Sequence, residues 1–396
     1  MRCRLIPLAE TMAGHVSLSI PKRLLHVVAS FAPAAGGTTE GIRKLVESGP
    51  GGSAVVCLDD PTEAFVQGQS FPVYALGPVR SHYGYTLRLP EWLGQNIARF
   101  DGLVIHGLWQ YHSYGSYQVV RGRKPYVVFP HGMLDPWFKR TFPLKHLKKQ
   151  LYWLAWEYRV LRDARAVCFT TPIERDDAVK TLWPQRWNPA VVSFGTSEPP
   201  GDEARQREAF LAHYPGLQQR RFFLFLSRIH RKKGCDLLLE ALGRIGPAHP
   251  DLDLVIAGPD EEGLRPDLEA QARRLQIGHR VHWTGMLEGD LKWGAFHAAE
   301  AFVLPSHQEN FGVAVVEALA CGVPVLISDK VNIWPEIVHD QAGIVNPDTV
   351  EGTYRSMETL LGMKAEERQR MVRNGQACFR ARYEMTRTAQ ALNDLF

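Results

Sequence analysis

The sequence predicts an α/β protein built from two doubly wound parallel-sheet domains that face each other across a cleft. Three observations carry that prediction. A chain of 396 residues is longer than one hydrophobic core usually serves. From Arg23 onward, short apolar, β-branched runs alternate with amphipathic stretches, the pattern of parallel strands covered by helices on both faces. Between two such series, "GTSEPPGDEARQ" at 195–206 concentrates Pro, Gly and charge as a linker does. The seam places the domains at 1–197 and 198–379.

The strand candidates follow in order. In the first half they are "LLHVVASF" (24–31), "SAVVCL" (53–58), "FPVYAL" (71–76), "GLVIHG" (102–107), "YVVFPHG" (126–132), "AVCFTT" (166–171) and "AVVSFG" (190–195). The second half offers "FFLFLS" (222–227), "LDLVIAG" (252–258), "RVHWTG" (280–285), "AFVLPS" (301–306), "VPVLIS" (323–328) and "GIVN" (343–346). In such sheets ligands sit beyond the carboxyl ends of the strands, where strand order reverses, so the active site is expected between the facing loops of the two domains.

Composition narrows the function classes. With 45% hydrophobic and 22% charged residues the chain reads as an ordinary soluble globular protein. No run approaches the ~18 consecutive apolar residues of a membrane span, and residues 1–22 lack the compact apolar core of a signal peptide. Those 22 residues are loosely patterned and receive no role. Six scattered cysteines without a Cys-x-x-Cys pair read as reduced thiols of a cytoplasmic protein. Residues 1–197 hold 23 Lys plus Arg against 14 Asp plus Glu, a balance of +9, whereas the remainder carries −5. That asymmetry gives the first domain an anionic partner.

Four stretches bear chemistry. After the first strand, Gly36 and Gly37 precede Thr38 and Thr39, both candidate helix caps; this is either a plain tight turn or a place where backbone approaches a phosphate or sugar. It lacks the Gly-x-Gly-x-x-Gly spacing of dinucleotide binders. In "FLSRIHRKKGCDLLLEAL" (225–242), Arg228, Arg231, Lys232 and Lys233 crowd a strand end before a helix beginning near Gly234. This is a site for a diphosphate, or a solvated charge run; Arg228 and Lys233 stand at its two ends. In "HQENFGVAVVEALACG" (307–322), Glu317 interrupts an apolar helix closed by Gly322, and Glu309 precedes the amides of Asn310, Phe311 and Gly312. A buried carboxylate costs several kcal/mol unless partnered, so Glu317 needs either the vicinal hydroxyls of a ribose or a Lys or Arg. In "VVFPHGMLDPWFKR" (127–140), His131 and Asp135 follow a strand end, with His106 at a neighbouring one, and each histidine is either structural or catalytic.

Downstream, Phe138 to Trp156 carries Lys139, Arg140, Lys145, Lys148 and Lys149 among Phe138, Phe142, Tyr152, Trp153 and Trp156. This suits an anionic membrane surface or an amphipathic helix packed by its aromatics. No nucleic-acid-binding signature accompanies the charges. The Asp-x-Asp at 251–253 opens an alternating strand, so no metal is expected there.

With these parts placed, the chain from about Arg23 resembles the retaining glycosyltransferase family 4, of GT-B fold. The resemblance rests on the Gly36, Gly37 loop, "PHG" (130–132), "SRIHRKKG" (227–234), "AGP" (257–259), "TG" (284–285) and, most specifically, "PSHQENFGVAVVEALACGVPVLIS" (305–328). "PHGMLDPW" and "DKVNIWPEI" are similar to a branch associated with bacterial surface-polysaccharide assembly. The resemblance implies a retaining, metal-independent hexosyltransferase without a cofactor. A UDP- or GDP-sugar would be co-substrate and a lipid-linked glycan the acceptor, at the inner face of the membrane. Arg228 and Lys233 would hold the diphosphate and Glu317 the ribose. Glu309, Asn310, Phe311 and Gly312 would orient sugar and diphosphate, while Gly36, Gly37 and His131 approach from the first domain. It further implies that a helix at about 380–396 crosses back to the first domain. The alternatives are a sugar-nucleotide epimerase of the same fold and a non-catalytic nucleotide-sugar-binding subunit.

Overall fold

The computed structural model describes residues 20–33, 37–49, 51–136, 139 and 143–396. Two parallel sheets account for thirteen strands, each inside or overlapping a run that the sequence marks as apolar and β-branched. The first comprises β1 (Leu24–Val27), β2 (Ala54–Cys57), β3 (Val73–Ala75), β4 (Gly102–His106), β5 (Tyr126–Phe129), β6 (Ala166–Phe169) and β7 (Pro189–Val191), in the order β3-β2-β1-β4-β5-β6-β7. The second comprises β8 (Arg221–Leu226), β9 (Leu252–Ala257), β10 (Val281–Gly285), β11 (Ala301–Leu304), β12 (Val325–Ser328) and β13 (Gly343–Asn346), in the order β10-β9-β8-β11-β12-β13.

In both sheets the order reverses once, between β1 and β4 and between β8 and β11. Loops leaving neighbouring strands there run to opposite faces and open a crevice. The loop before Gly37 follows β1, His106 ends β4, the Arg228–Lys233 loop follows β8 and the Glu309 loop follows β11. The four stretches singled out from sequence therefore stand at or beside the two reversal points.

Apolar residues buried on one face of the first sheet, including Phe31, Ile42, Phe129 and Phe194, form one continuous cluster with the core of the second domain. The opposite face of the first sheet has its own cluster around Leu25, Val56, Ile105 and Trp153. The chain passes between domains twice, at Thr196 and at Glu384, and the two passages are paired: Thr196 N–H donates to Tyr383 O at 2.9 Å and Met385 N–H to Thr196 O at 3.0 Å. The last helix, Met385–Asn393, then lies against the first domain. Thr388 Oγ1 donates to Ser193 O at 2.8 Å, Asn393 Oδ1 accepts from Lys22 N at 2.8 Å, and the ring of Phe396 fills the space a Cβ would occupy on Gly102.

One expectation changes. The helix after β1 begins at Gly37, so Thr38 and Thr39 lie inside its first turn and cap nothing. The Asp-x-Asp carboxylates are ion-paired within the chain, Asp253 with Arg220 and His282 and Asp251 with Arg221, because this end of β9 meets a ring of bases rather than the cleft. Cys57, Cys168, Cys235, Cys321 and Cys378 are free thiols; Cys3 lies outside the described residues. No described helix is long and apolar enough to cross a membrane.

Candidate active site

The second domain supplies the charged wall. After β8 the chain makes a single turn, Arg231–Lys233, and Gly234 leaves it at φ +69°, a left-handed conformation. A Cβ on Gly234 would lie 2.4 Å from Pro305 O, so only glycine lets this loop press against the loop after β11. The approach buries Lys233 and joins its Nζ to Glu309 Oε2 in an ion pair. Glu309 is held in turn by its backbone, its N–H donating to Lys330 O at 2.9 Å and its carbonyl accepting from Asn332 N at 3.0 Å. Beside it Lys232 Nζ donates to Gln308 Oε1 at 2.6 Å. Arg228, at the outer end of the loop, is half exposed and pairs with Glu261 at 2.9 Å.

Glu317 shows how the sequence dilemma is resolved. It lies in the helix Val313–Ala320, which starts after Gly312 at φ +83° and ends before Gly322 at φ +69°. The residue is 2% exposed. Its Oε1 takes Lys292 at 2.6 Å and, from the first domain, Lys44 at 3.5 Å. The desolvation of the carboxylate is thus offset by two lysines of the chain, and burial alone no longer demands a ribose. Both lysines use Oε1; among the described residues no hydrogen bond engages Oε2.

The first domain supplies a wall in which, apart from Lys44 and Asp135, histidine rings and backbone face the cleft. Gly37 packs against Val313, a Cβ there meeting its Cγ2 at 3.6 Å. His131 follows β5 with φ +50°, and the next residue, Gly132, comes so close to Asn310 that a Cβ would lie 3.1 Å from its Cγ. Besides Lys44 on Glu317, two side chains of the second domain cross the cleft: Asn310 Nδ2 donates to Thr170 Oγ1 at 3.1 Å, and Gln308 Nε2 donates to Asp135. His131 is joined to His106, and His106 to His26, by ring-to-ring hydrogen bonds of 2.9 Å each. Burial pulls all three rings below the ordinary imidazole range, His26 to about 3 and His131 to about 4.

Glu174 was not marked by the sequence reading. Its Oε1 accepts from Gly132 N at 2.6 Å, and its Oε2 accepts from Thr170 N and Thr170 Oγ1, both at 2.7 Å. One buried carboxylate thereby ties the His131 turn to the residue that meets Asn310. Burial raises its pKa against the hydrogen bonds that hold it. The signal was present in "TTPIE", where Thr171 caps the following helix and Glu174 stands three residues on, the spacing of a capping box.

The basic segment divides. Gly36 of the first loop and, here, Trp137, Phe138, Arg140 and Phe142 lie outside the described residues. Lys139, Lys145 and Lys148 are exposed, while Lys149 turns inward with its Nζ 4.8 Å from the Trp109 ring centroid. Trp153 is buried rather than interleaved with the charges. What the helix Pro143–Tyr152 and its continuation expose instead is a stripe of Leu144, Leu147, Leu151 and Leu154, at 84%, 59%, 63% and 44%, with Trp156 beside it. Spacings of three and four place the leucines on one helical face.

Comparison with known proteins gives the two halves separate matches. Residues 36–195 match the glycosyl transferase 4-like domain, and residues 208–377 match the glycosyl transferases group 1 family. The chain is 33% identical over 207 residues to a D-inositol 3-phosphate glycosyltransferase of Segniliparus rotundus, which covers 52% of this chain and 44% of that relative's length. Its fold is that of solved GT-B structures. A sucrose-phosphate synthase from Thermosynechococcus elongatus superposes with a TM-score of 0.76 at 18% identity, covering 94% of this chain and 98% of that one. The Anabaena protein HepE, solved in complex with UDP and glucose, gives 0.73 at 17% identity over the same shares.

Proposed function

We propose, for a chain that carries a glycosyl transferase 4-like domain followed by a group 1 glycosyl transferase domain, that it moves a hexose from a UDP- or GDP-sugar to a glycan acceptor with retention of configuration. One observation carries the reading. Lys233, Glu309 and Glu317 stand at one reversal point, with Arg228 at the outer end of the Lys233 loop, and beside them Val313 and Asn310 meet the Gly37 and His131–Gly132 loops of the first domain. The crystal form of HepE with UDP and glucose supports a nucleotide-sugar donor.

In this reading Lys233 and Arg228 leave their carboxylate partners for the diphosphate and neutralise the charge that grows as the sugar–phosphate bond breaks. Glu309, released from Lys233, accepts hydrogen bonds from sugar hydroxyls. Glu317 accepts the ribose hydroxyls on Oε2 while Lys292 keeps Oε1. The acceptor hydroxyl attacks from the face the phosphate leaves, and the departing phosphate oxygen takes its proton. Two cationic side chains at the diphosphate do the work a divalent ion does elsewhere, so the reaction runs without metal or cofactor.

The acceptor is a lipid-linked glycan of bacterial surface-polysaccharide assembly, reached at the inner membrane face. The leucine stripe supports the membrane half of that statement. Four exposed leucines on a helix carrying Lys145 and Lys148 form an apolar face with basic flanks, the build of a helix that lies in an anionic interface.

Labelled UDP- and GDP-sugars supplied with a polyprenyl-linked saccharide test the transfer. A product with the donor's anomeric configuration, formed equally in EDTA, is expected. Isomerised donor appearing without acceptor would instead make the chain an epimerase. For the membrane, Leu147→Ser with Leu151→Ser should abolish flotation with phosphatidylglycerol vesicles; flotation equal to the parent protein removes that half of the proposal.

A further inference from the structure

The three histidines of the first domain form a ladder. His26 lies in β1, His106 ends β4 and His131 follows β5, and these strands are neighbours in the sheet. The register pairs His26 with Val104 and His106 with Phe129, so each ring stands two residues further along its strand than the last. The stagger brings ring edge to ring edge: His26 Nδ1 to His106 Nε2, then His106 Nδ1 to His131 Nε2, each at 2.9 Å. Successive ring planes differ by 12° and 16°, with centroids 5.2 Å apart at both steps. His26 and His106 are 1% and 4% exposed, and Phe129 and Phe194 pack on the ladder's sides.

A neutral imidazole carries one N–H and one bare nitrogen. His106 has both nitrogens engaged, so it donates through one and accepts through the other. If it donates from Nδ1, His131 must accept on Nε2 and carry its own proton on Nδ1, while His26 donates from Nδ1. If it donates from Nε2, both neighbours are forced the other way. The three rings therefore share one tautomer, all Nδ1–H or all Nε2–H, and reversing it requires a proton to enter at one end and leave at the other. Nδ1 of His131, which takes no hydrogen bond among the described residues, is then a donor or an acceptor as the whole ladder dictates.

We propose that His26 and His106 are positioning residues that fix which face of the His131 ring chemistry, N–H or bare nitrogen, meets a substrate oxygen in the cleft. The inference rests on the transferase reading for what His131 meets, but the shared tautomer does not depend on it. The neighbouring His112 donates from Nε2 to the His106 carbonyl at 2.8 Å, and burial pulls its own pKa down to about 4. Among the described residues neither a carboxylate nor a lysine is hydrogen-bonded to any ring of the ladder.

Protein labelled with 15N-histidine and observed by long-range proton–nitrogen correlation at pH 7.5 tests the proposal. His112 is the internal reference, fixed as Nε2–H by its carbonyl partner. His26, His106 and His131 are expected in one common tautomer, and any disagreement among them in the parent protein overturns the ladder without need of a variant. His26→Phe should then change or mix the tautomer of His131 and lower kcat about tenfold or more with donor KM unchanged, whereas His26→Asn, which can still pair with His106 Nε2, restores both. Unchanged tautomer and kcat in His26→Phe would reduce the ladder to packing. A chain that transfers no sugar yet shows the common tautomer would sink the transferase reading and leave the ladder standing.

Discussion

The two walls of the cleft are made of different materials. The second domain meets it with ion pairs, Lys233 with Glu309 and Lys292 with Glu317, whose members are already close to each other. The first domain meets it chiefly with rings kept neutral by burial and with backbone amides held by Glu174, Lys44 and Asp135 being its charged exceptions. Charged walls suit a polyanionic donor, because each lysine gains more from a diphosphate than from one carboxylate. A neutral wall suits an acceptor that brings hydroxyls. The contrast also divides how each wall fails, and four measurements address it.

The largest effect is expected at the ion pair. Lys233→Ala should lower the transfer rate about a thousandfold, and adding Glu309→Ala should cost little more, since the two serve one ligand. Initial rates for the single and double variants show this; additive losses would mean that the residues act separately. Next comes acid sensitivity of the neutral wall. Each ladder histidine and His112 has a folded pKa below about 6.5, so the unfolded chain binds the extra protons. Their contribution is complete above that value and declines as pH falls towards 4, by about 1.4 kcal/mol per pH unit for each histidine. Thermal unfolding from pH 8 to 4.5 should follow that slope, and His26→Phe should flatten it.

Smaller effects sharpen the same division. Gly234→Ala forces a side chain into positive φ against Pro305 O and should cost about 1–3 kcal/mol, whereas Gly216→Ala, with open space around it, should be near neutral in the same denaturation series. Glu157, like Glu174, runs the other way in the first domain: a fully buried carboxyl pushed up to about 7 by its burial, with Ser113 donating at 2.5 Å. The folded chain holds its proton beyond the unfolded value, so this group weakens the fold as pH rises from about 4.5 to 7. Glu157→Gln should therefore gain about 1 kcal/mol at pH 8 and lose that gain below pH 4.5, read from paired melting curves. An equal change at both ends would indicate lost hydrogen bonding instead.

The charged wall was legible in the sequence because its residues are contiguous. "SRIHRKKG" and "HQENFG" each lie within one loop, and the Pro- and Gly-punctuated runs gave both sheets. On the first domain Gly37, His106 and His131 were marked singly, but their joining was not legible. His26, His106 and His131 are separated by 80 and 25 residues, and only a sheet order that places β4 beside β1, on the side away from β2 and β3, makes them adjacent. His26 sat unmarked inside an apolar run. The lysines on Glu317 escaped for the same reason: Lys44 and Lys292 come from two other elements, one of them in the other domain. The leucine stripe was in plain sight, but the lysines, Trp and Tyr among the leucines carried both readings of the segment instead.

The passage of Met385–Asn393 back onto the first domain sets a timetable for biosynthesis. Residues 20–195 leave the ribosome with Met385, Ala389 and Leu392, which end up buried against them, still untranslated. At ordinary elongation rates that interval is roughly 10–40 s. Throughout it the nascent first domain exposes the apolar surface that the final helix later covers, and the second domain must fold in the meantime without pulling the tail away. A chaperone that binds apolar surface has that whole interval in which to act, and a stop codon a few residues early would injure the half of the protein made first.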